Sequence, residues 1–188
     1  LYTVLCIGET ELNLSGLTPV SHIQSLDIKH GIHTRETVFL VDGVYVTIKA
    51  ERFVSMTNEN IMALKYSVMA DKDIKATVKT GIDKNIWNIS GNHLDYVAEF
   101  CDNNLLKLEC ETVQLKNKLE VYESVLGLDN IVNENLLHTS KIELSANKEF
   151  EFVKFGGIYH SDSVEASKEK FLSAVNVGKK KKKNEHIA

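Results

Sequence analysis

Two-residue hydrophobic alternation, interrupted by tight-turn signals, constrains this chain more than any other feature. The alternation runs through Thr34 to Phe39 and again through Val44 to Ile48, with Asp42-Gly43 between the two runs. A period of two puts successive side chains on opposite faces of a strand. A type I′ hairpin turn needs positive φ at both central residues, and Asp-Gly meets that demand. Further strand-like runs are Tyr2 to Ile7, Glu51 to Ser55, Ile61 to Met69, Ile74 to Thr80, Leu105 to Glu111, Lys118 to Tyr122, Ser140 to Leu144 and Phe150 to Tyr159. Turn chemistry separates them at Asp71-Lys72-Asp73, Asp102-Asn103-Asn104 and Ala146-Asn147-Lys148. The spacing predicts a mainly β fold, an antiparallel sandwich or barrel, over residues 1–160.

The pattern changes after Tyr159. His160-Ser161-Asp162 offers helix N-caps, and Val164 to Val177 carries Ala166, Phe171, Ala174 and Val175 at helical spacing. Gly178 reads as the C-cap of that helix. Lys179 to Lys183 follow as a solvated boundary, and Asn184-Glu185-His186 reads as the start of a second helix. A short helical segment is therefore expected over 161–188. Because the chain opens at Leu1 inside an apolar run and closes on that second start, it is read as part of a longer polypeptide.

Composition narrows the function classes. At 43% hydrophobic, 188 residues bury a substantial core, roughly 70% of the unfolded surface. With 22 basic against 26 acidic residues the net charge is −4, which supplies no positive field for nucleic acid or anionic lipid. Five consecutive lysines do not reverse that reading, because no aromatic residues interleave with them. The three cysteines, Cys6, Cys101 and Cys110, are too few and odd in number for a disulfide framework, so a cytoplasmic location is expected. No run approaches the 18 or so apolar residues of a membrane-spanning helix.

The residues that invite chemistry are sparse. His30 and His33 lie three apart, so on a strand they point to opposite faces, and no cysteine or carboxylate completes a ligand set; no metal site is expected. No nucleophile elbow, phosphate loop or dinucleotide fingerprint occurs. Glu9 with Glu11, and Glu109 with Glu111, share strand faces and are read as solvated pairs. Arg35-Glu36 and Glu51-Arg52 flank the Asp-Gly hairpin and are read as cross-strand charge pairs. Trp87, the single tryptophan, lies in the segment Gly81 to His93 with Asn85 and Asn88. It reads either as a buried anchor of a wide connection or as a sugar-facing platform.

Four segments in order carry a resemblance. Ser25-Leu-Asp-Ile-Lys-His-Gly-Ile-His-Thr-Arg35, Glu51-Arg-Phe-Val-Ser55, Gly81-Ile-Asp83 and Ile158-Tyr-His-Ser-Asp162 resemble, in sequence and spacing, the front part of glycoside hydrolase family 65. That family includes maltose, trehalose, kojibiose and nigerose phosphorylases. The resemblance implies an antiparallel super-β-sandwich of the galactose-mutarotase-like kind, incomplete at its start. It also implies a linker, with His186 near its beginning, and an (α/α)₆ catalytic barrel that lies outside this chain.

In that family a barrel glutamic acid protonates the glycosidic oxygen while inorganic phosphate, the co-substrate, attacks from the opposite face. No residue here matches that acid or the phosphate loop, so the resemblance implies no catalytic, cofactor-binding or metal-binding residue in this chain. It implies a non-catalytic domain that packs on its own catalytic barrel and takes part in a homodimer, within an enzyme that acts on an α-glucosidic disaccharide. Trp87, Asn88 and His93 are the candidates for a sugar-site rim. A family hydrolase, a stand-alone carbohydrate-binding module and a polyanion-binding domain are the alternatives.

Overall fold

The structure, a computed structural model, describes residues 2–85 and 89–185, with side chains described at those positions except 162 and 180–185. The strands in chain order begin with β1 (Tyr2–Ile7), β2 (Thr10–Glu11), β3 (Ser21–Asp27), β4 (Ile32–Val41) and β5 (Val44–Val54). They continue with β6 (Ile61–Ala70), β7 (Ile74–Gly81), β8 (Leu94–Asp102), β9 (Leu105–Thr112) and β10 (Lys118–Leu126). Last come β11 (Val132–Glu134), β12 (Leu137–Leu144) and β13 (Glu149–His160), then a short 3₁₀ turn and the helix α1 (Ser167–Glu185).

The strands form two antiparallel sheets, one of eight strands in the order β3-β4-β5-β6-β13-β10-β9-β8 and one of five in the order β11-β12-β7-β1-β2. The mainly β sandwich expected from the alternation is present.

Asp42 and Gly43 close the β4–β5 hairpin with φ of 51° and 73°, and Val41 pairs with Val44 across the turn. Glu51 to Ser55 is not a separate strand. It continues β5 without a break, because β6 pairs along the whole length from Val46 to Val54. The expected Arg35–Glu51 type of pairing does not form, since the register sets Arg35 opposite Ala50 and Glu51 opposite Thr34. Lys49 pairs with Glu51 at 3.0 Å instead, and Arg52 donates from Nε to His33 Nδ1 at 3.0 Å.

Besides the short β2 and β11 at the edges of the small sheet, two strands were not legible in the alternation, β3 and β8. They are the two edges of the eight-stranded sheet, and most of their residues are exposed on both faces, so neither face selects for apolar side chains.

Between the sheets lies an apolar core centred on Leu5, Val46, Val68, Val78 and Phe152, all fully buried. A second cluster, with Leu106, Leu108, Cys110, Ile82 and Leu136, fills the side nearer β8. The outer face of the large sheet carries α1. Phe171 stacks on Tyr122 with ring centres 5.3 Å apart and lies over Gly157, where a β-carbon would come within 2.6 Å of its ring. Burying one such aromatic contributes about 1.5–3 kcal/mol.

Helix α1 runs unbroken past Gly178, so that glycine is not a C-cap and Lys179 to Lys183 lie within one helix rather than between two. Gly178 has a packing reason, because a β-carbon there would meet the Phe155 ring. The lysines occupy the last turns, where cations complement the helix dipole.

The helix start is fastened to the sheet. Ser167 Oγ donates to Glu120 Oε2, Tyr122 OH donates to the same carboxylate oxygen at 2.8 Å, and Lys107 Nζ reaches Glu120 Oε1 at 2.7 Å. Desolvation by burial opposes ionisation of Glu120, but the bonds from Lys107, Ser167 and Tyr122 outweigh it and hold the carboxyl below its usual range.

Candidate functional site

The segment that sequence reading singled out, 81–93, leaves the small sheet at Gly81 and enters the large one at Leu94. Its start must be glycine, since a β-carbon at Gly81 would lie 2.1 Å from the Leu136 carbonyl oxygen. Ile82 N then donates to that oxygen at 3.0 Å. Trp87 and Asn88 lie outside the described residues. His93 is described: its Nε2 donates to the Ile89 carbonyl at 2.7 Å and closes a small loop through Ser90 and Gly91, both at positive φ. The His93 carbonyl accepts from Val113 N at 3.0 Å, which ties this loop to the β9–β10 turn.

Ser90, Asn92, His93, Thr112, Gln114 and Asn117 line a shallow depression of about 370 Å³ between the two loops. Its amide and hydroxyl side chains offer both donors and acceptors, which suits the hydroxyl groups of a ligand. Small-molecule clefts commonly run to several hundred Å³, so the depression has room for part of a saccharide.

A second concavity arises because eight strands overhang five. The inner faces of β3 to β6 project beyond the small sheet and expose Gln24, Leu26, Arg52 and Val54. Here the side chains form a chain of hydrogen bonds. Arg52 donates to His33, whose Nε2 lies 3.1 Å from Gln24 Oε1. Gln24 Nε2 lies 3.0 Å from His22 Nε2, and His22 Nδ1 lies 2.9 Å from Thr37 Oγ1. His30 instead pairs with Asp27 at 2.7 Å in the β3–β4 turn. The two histidines thus serve separate partners, and among the described residues no group of three or more His, Cys, Asp or Glu is placed to hold a metal ion.

The strongest electrostatics lie between the sheets. Lys154 of β13 and Glu123 of β10 are 1% and 0% exposed, with Nζ 3.2 Å from Oε2. Lys154 Nζ also donates to the Tyr2 carbonyl at 2.5 Å and to Thr3 Oγ1 and Thr80 Oγ1 at 2.9 Å each. Thr80 lies 3.1 Å from Glu123 Oε1 and joins the small sheet to the pair. Burial pushes the Glu123 carboxyl up and the Lys154 ammonium down, each opposed by the charge of the other.

Beside Thr80, His138 is fully buried. Its Nδ1 donates to Asn133 Oδ1 at 2.6 Å, while Nε2 has no hydrogen-bond partner. Desolvation, with the Lys154 charge nearby, pulls its pKa down to about 4. Sealed from solvent, these groups cannot touch a substrate and act as a polar seam that joins the two sheets.

Sequence reading missed the seam, although a signal was present. Lys154 shares the inward phase of β13 with Phe150 and Phe152, and Glu123 shares that of β10 with Val121 and Val125. The carboxylates it did name are surface groups: Glu11 pairs with Lys79 at 3.3 Å and Glu109 with Lys107 at 2.6 Å.

The comparisons agree with this architecture. The family described as "Glycosyl hydrolase family 65, N-terminal domain" matches over residues 1–188. A nigerose phosphorylase of Lachnoclostridium phytofermentans is 39% identical over 120 residues, which is 64% of this chain and 16% of that protein. A 1,2-alpha-glucosylglycerol phosphorylase of Bacillus selenitireducens is 27% identical over 157 residues, 79% of this chain and 20% of that protein.

In three dimensions, a chain assigned as a kojibiose phosphorylase from the human microbiome superposes with a TM-score of 0.82 at 18% identity. The match covers 95% of this chain and 25% of that one, and at that identity it shows the shared fold. The chain thus spans between about a sixth and a quarter of the length of these relatives. Among the described residues no helix is long and apolar enough to cross a membrane. The whole-length family match, the two unequal antiparallel sheets and the helix packed on the larger one lead to one assignment: this chain belongs to glycosyl hydrolase family 65, as its N-terminal domain.

Proposed function

We propose that this chain is the non-catalytic N-terminal domain of a cytoplasmic disaccharide phosphorylase that uses inorganic phosphate to cleave an α-glucosidic bond with inversion. Its part is to pack against the catalytic barrel of the same polypeptide, to contribute to a homodimer, and to lend the 81–93 loop to the rim of the sugar site. In this division 1–160 is the sandwich domain and 161–188 leads toward the linker. The observation that carries the reading is the whole-length family match, joined to relatives that are sugar phosphorylases. The siting of charge supports it: among the described residues, the Lys154–Glu123 pair, each member pushed toward its neutral form by burial, lies between the sheets rather than on an open surface.

Assays of the full-length polypeptide and of the 188-residue chain with nigerose, kojibiose and maltose test this. Phosphate-dependent release of β-glucose 1-phosphate by the full-length protein alone is the expected result. Release of free glucose without phosphate makes the parent a hydrolase, and turnover by the 188 residues unaided overturns the non-catalytic assignment. For the rim, Trp87→Ala and His93→Ala in the full-length protein are expected to raise KM for the disaccharide. An unchanged KM in both removes the rim role.

A further inference from the structure

The chain has two arginines, Arg35 and Arg52, and both stand on one face of the large sheet. Residues directly opposite one another in an antiparallel sheet share a face. One row therefore crosses five strands as Leu26, His33, Arg52, Leu64 and Lys154. The next row holds Gln24, Arg35, Ala50 and Tyr66. Bonds from Lys154 to Thr3 and Thr80 show that this face turns toward the small sheet. Burial raises the pKa of the Tyr66 hydroxyl and the nearby Arg35 charge opposes that rise, which places Arg35 on the same side.

Neither arginine has a counter-ion. Among the described residues no ion pair includes Arg35 or Arg52, whereas lysines such as Lys49, Lys65 and Lys79 meet carboxylates. The acids adjacent in sequence, Glu36 and Glu51, lie on the opposite face by alternation, and Glu51 is taken by Lys49. Asp27 is taken by His30 and Glu123 by Lys154.

Arg52 is nevertheless held in place. Its Nε can only donate, so His33 Nδ1 accepts and the His33 proton sits on Nε2, which donates to Gln24 Oε1. The Gln24 amide then donates to His22 Nε2, and His22 Nδ1 donates to the buried Thr37 Oγ1. Every group in this relay has one role. The two terminal amino groups of Arg52 take no part in it.

The cleft at Arg52 and His33 holds about 400 Å³ and is walled by Val54, Met62 and Leu64. Apolar walls with a few convergent polar groups are the usual make-up of a small-molecule site. A planar guanidinium takes two oxygens of a phosphate or carboxylate through parallel bonds. A fork braced in advance loses little freedom in doing so.

We propose that the Arg52 cleft binds a sugar that carries an oxyanion. Phosphate or carboxylate sits on the guanidinium fork, and the C–H face of the ring lies on Met62 and Leu64. Arg35, one row away, adds a second uncancelled positive charge. The oxyanion is read from the arginines; that its carrier is a sugar rests on the phosphorylase-domain reading. The cleft lies at β4 to β6 and shares no residue with the depression beside the 81–93 loop.

NMR titration of the 188-residue chain with glucose 1-phosphate, glucuronate, glucose and inorganic phosphate tests this. The expected result is a saturable shift of the Arg52 Nε–H and His33 ring signals with an anionic sugar and none with glucose. The tighter of the two anionic sugars fixes which oxyanion the site takes. No shift at these groups with either one overturns the proposal, as does inorganic phosphate binding as tightly as the preferred sugar.

Arg52→Met is expected to weaken that sugar about tenfold or more, the worth of a charge-assisted bond. Arg52→Lys keeps the charge but loses the fork and the His33 bond, and should weaken it nearly as much. The Arg52 side chain is exposed, so both variants should keep the thermal transition of the wild type. Lys148→Met, in an exposed turn, controls for net charge. Wild-type affinity in either Arg52 variant, or an equal loss in Lys148→Met, overturns the proposal. Binding at Arg52 in a protein whose full-length form shows no phosphorolysis keeps the site and removes only the functional reading. Phosphorolysis without binding at Arg52 removes only the site.

Discussion

Two polar clusters in this domain use the same ingredients in different surroundings. Between the sheets, Lys154, Glu123 and Thr80 form a seam without solvent, edged by the half-buried Thr3; on the outer face, Lys107, Glu120, Tyr122 and Ser167 form a clamp at the start of α1. Each joins a lysine, a glutamate and hydroxyls across two layers. Lys154 and Glu123 are 1% and 0% exposed, whereas Lys107 and Glu120 keep 18% and 12% of their side-chain surface. Water can take over for a lost partner in the clamp and cannot in the seam. Burial, more than the number of bonds, therefore sets the cost of losing a member.

The largest effect is expected at the seam. Lys154→Met leaves Glu123 ionisable and without its cation, and should lower the unfolding free energy by about 3–5 kcal/mol in urea titration. A loss under about 1 kcal/mol would mean that solvent reaches the pair and would erase the contrast. The double change Lys154→Met, Glu123→Leu removes both charges and should recover more than half of that loss. A coupling energy near zero in the double-mutant cycle would show that the two do not act as a unit.

A pH titration sharpens the same contrast. His138 is held down to about 4 from an ordinary 6.5, so the unfolded chain binds the proton more readily across that window. The neutral ring favours the folded state above pH 6.5, and that contribution is lost as pH falls toward 4, up to about 3 kcal/mol. Wild type and His138→Gln, compared by thermal melts between pH 7 and 4, should diverge in slope, the variant being flatter. Parallel slopes would place His138 in contact with water. The smallest effect is expected at the clamp: Ser167→Ala removes one bond to a carboxylate, and should cost about 1–2 kcal/mol and loosen α1 as read by hydrogen exchange. A cost equal to that of Lys154→Met would end the distinction.

The legible part of the fold is the part written locally. Asp42-Gly43 specified its turn because only two dihedrals are at stake, and the interior strands stood out because one face of each is buried. The edges β3 and β8 lacked that selection. Glu51 to Ser55 looked separate because polar residues at Glu51 and Arg52 interrupt the pattern, while the backbone ladder continues regardless of side chain. Gly178 looked like a helix end, yet the Phe155 ring requires a small residue there in mid-helix. For the candidate rim, the wide loop was recognised from its framing glycines. The use of the His93 ring to brace that loop depends on where Ile89 sits, which no spacing rule supplies.

The sequence alone determined the two-residue period, the turns that punctuate it, and the four ordered segments by which the family is recognised. Tertiary structure alone decided which charges meet. Lys154 and Tyr2 lie 152 positions apart, Thr80 and Lys154 74 apart, and Glu123 becomes their counter-ion only when two sheets close over all of them. It also decided that the β3–β4, β5–β6 and β9–β10 turns lie at one end of the large sheet. The physical reason is range. Alternation and turn dihedrals are set by neighbours a few bonds away, whereas desolvation and Coulomb energy depend on which distant segments exclude water together.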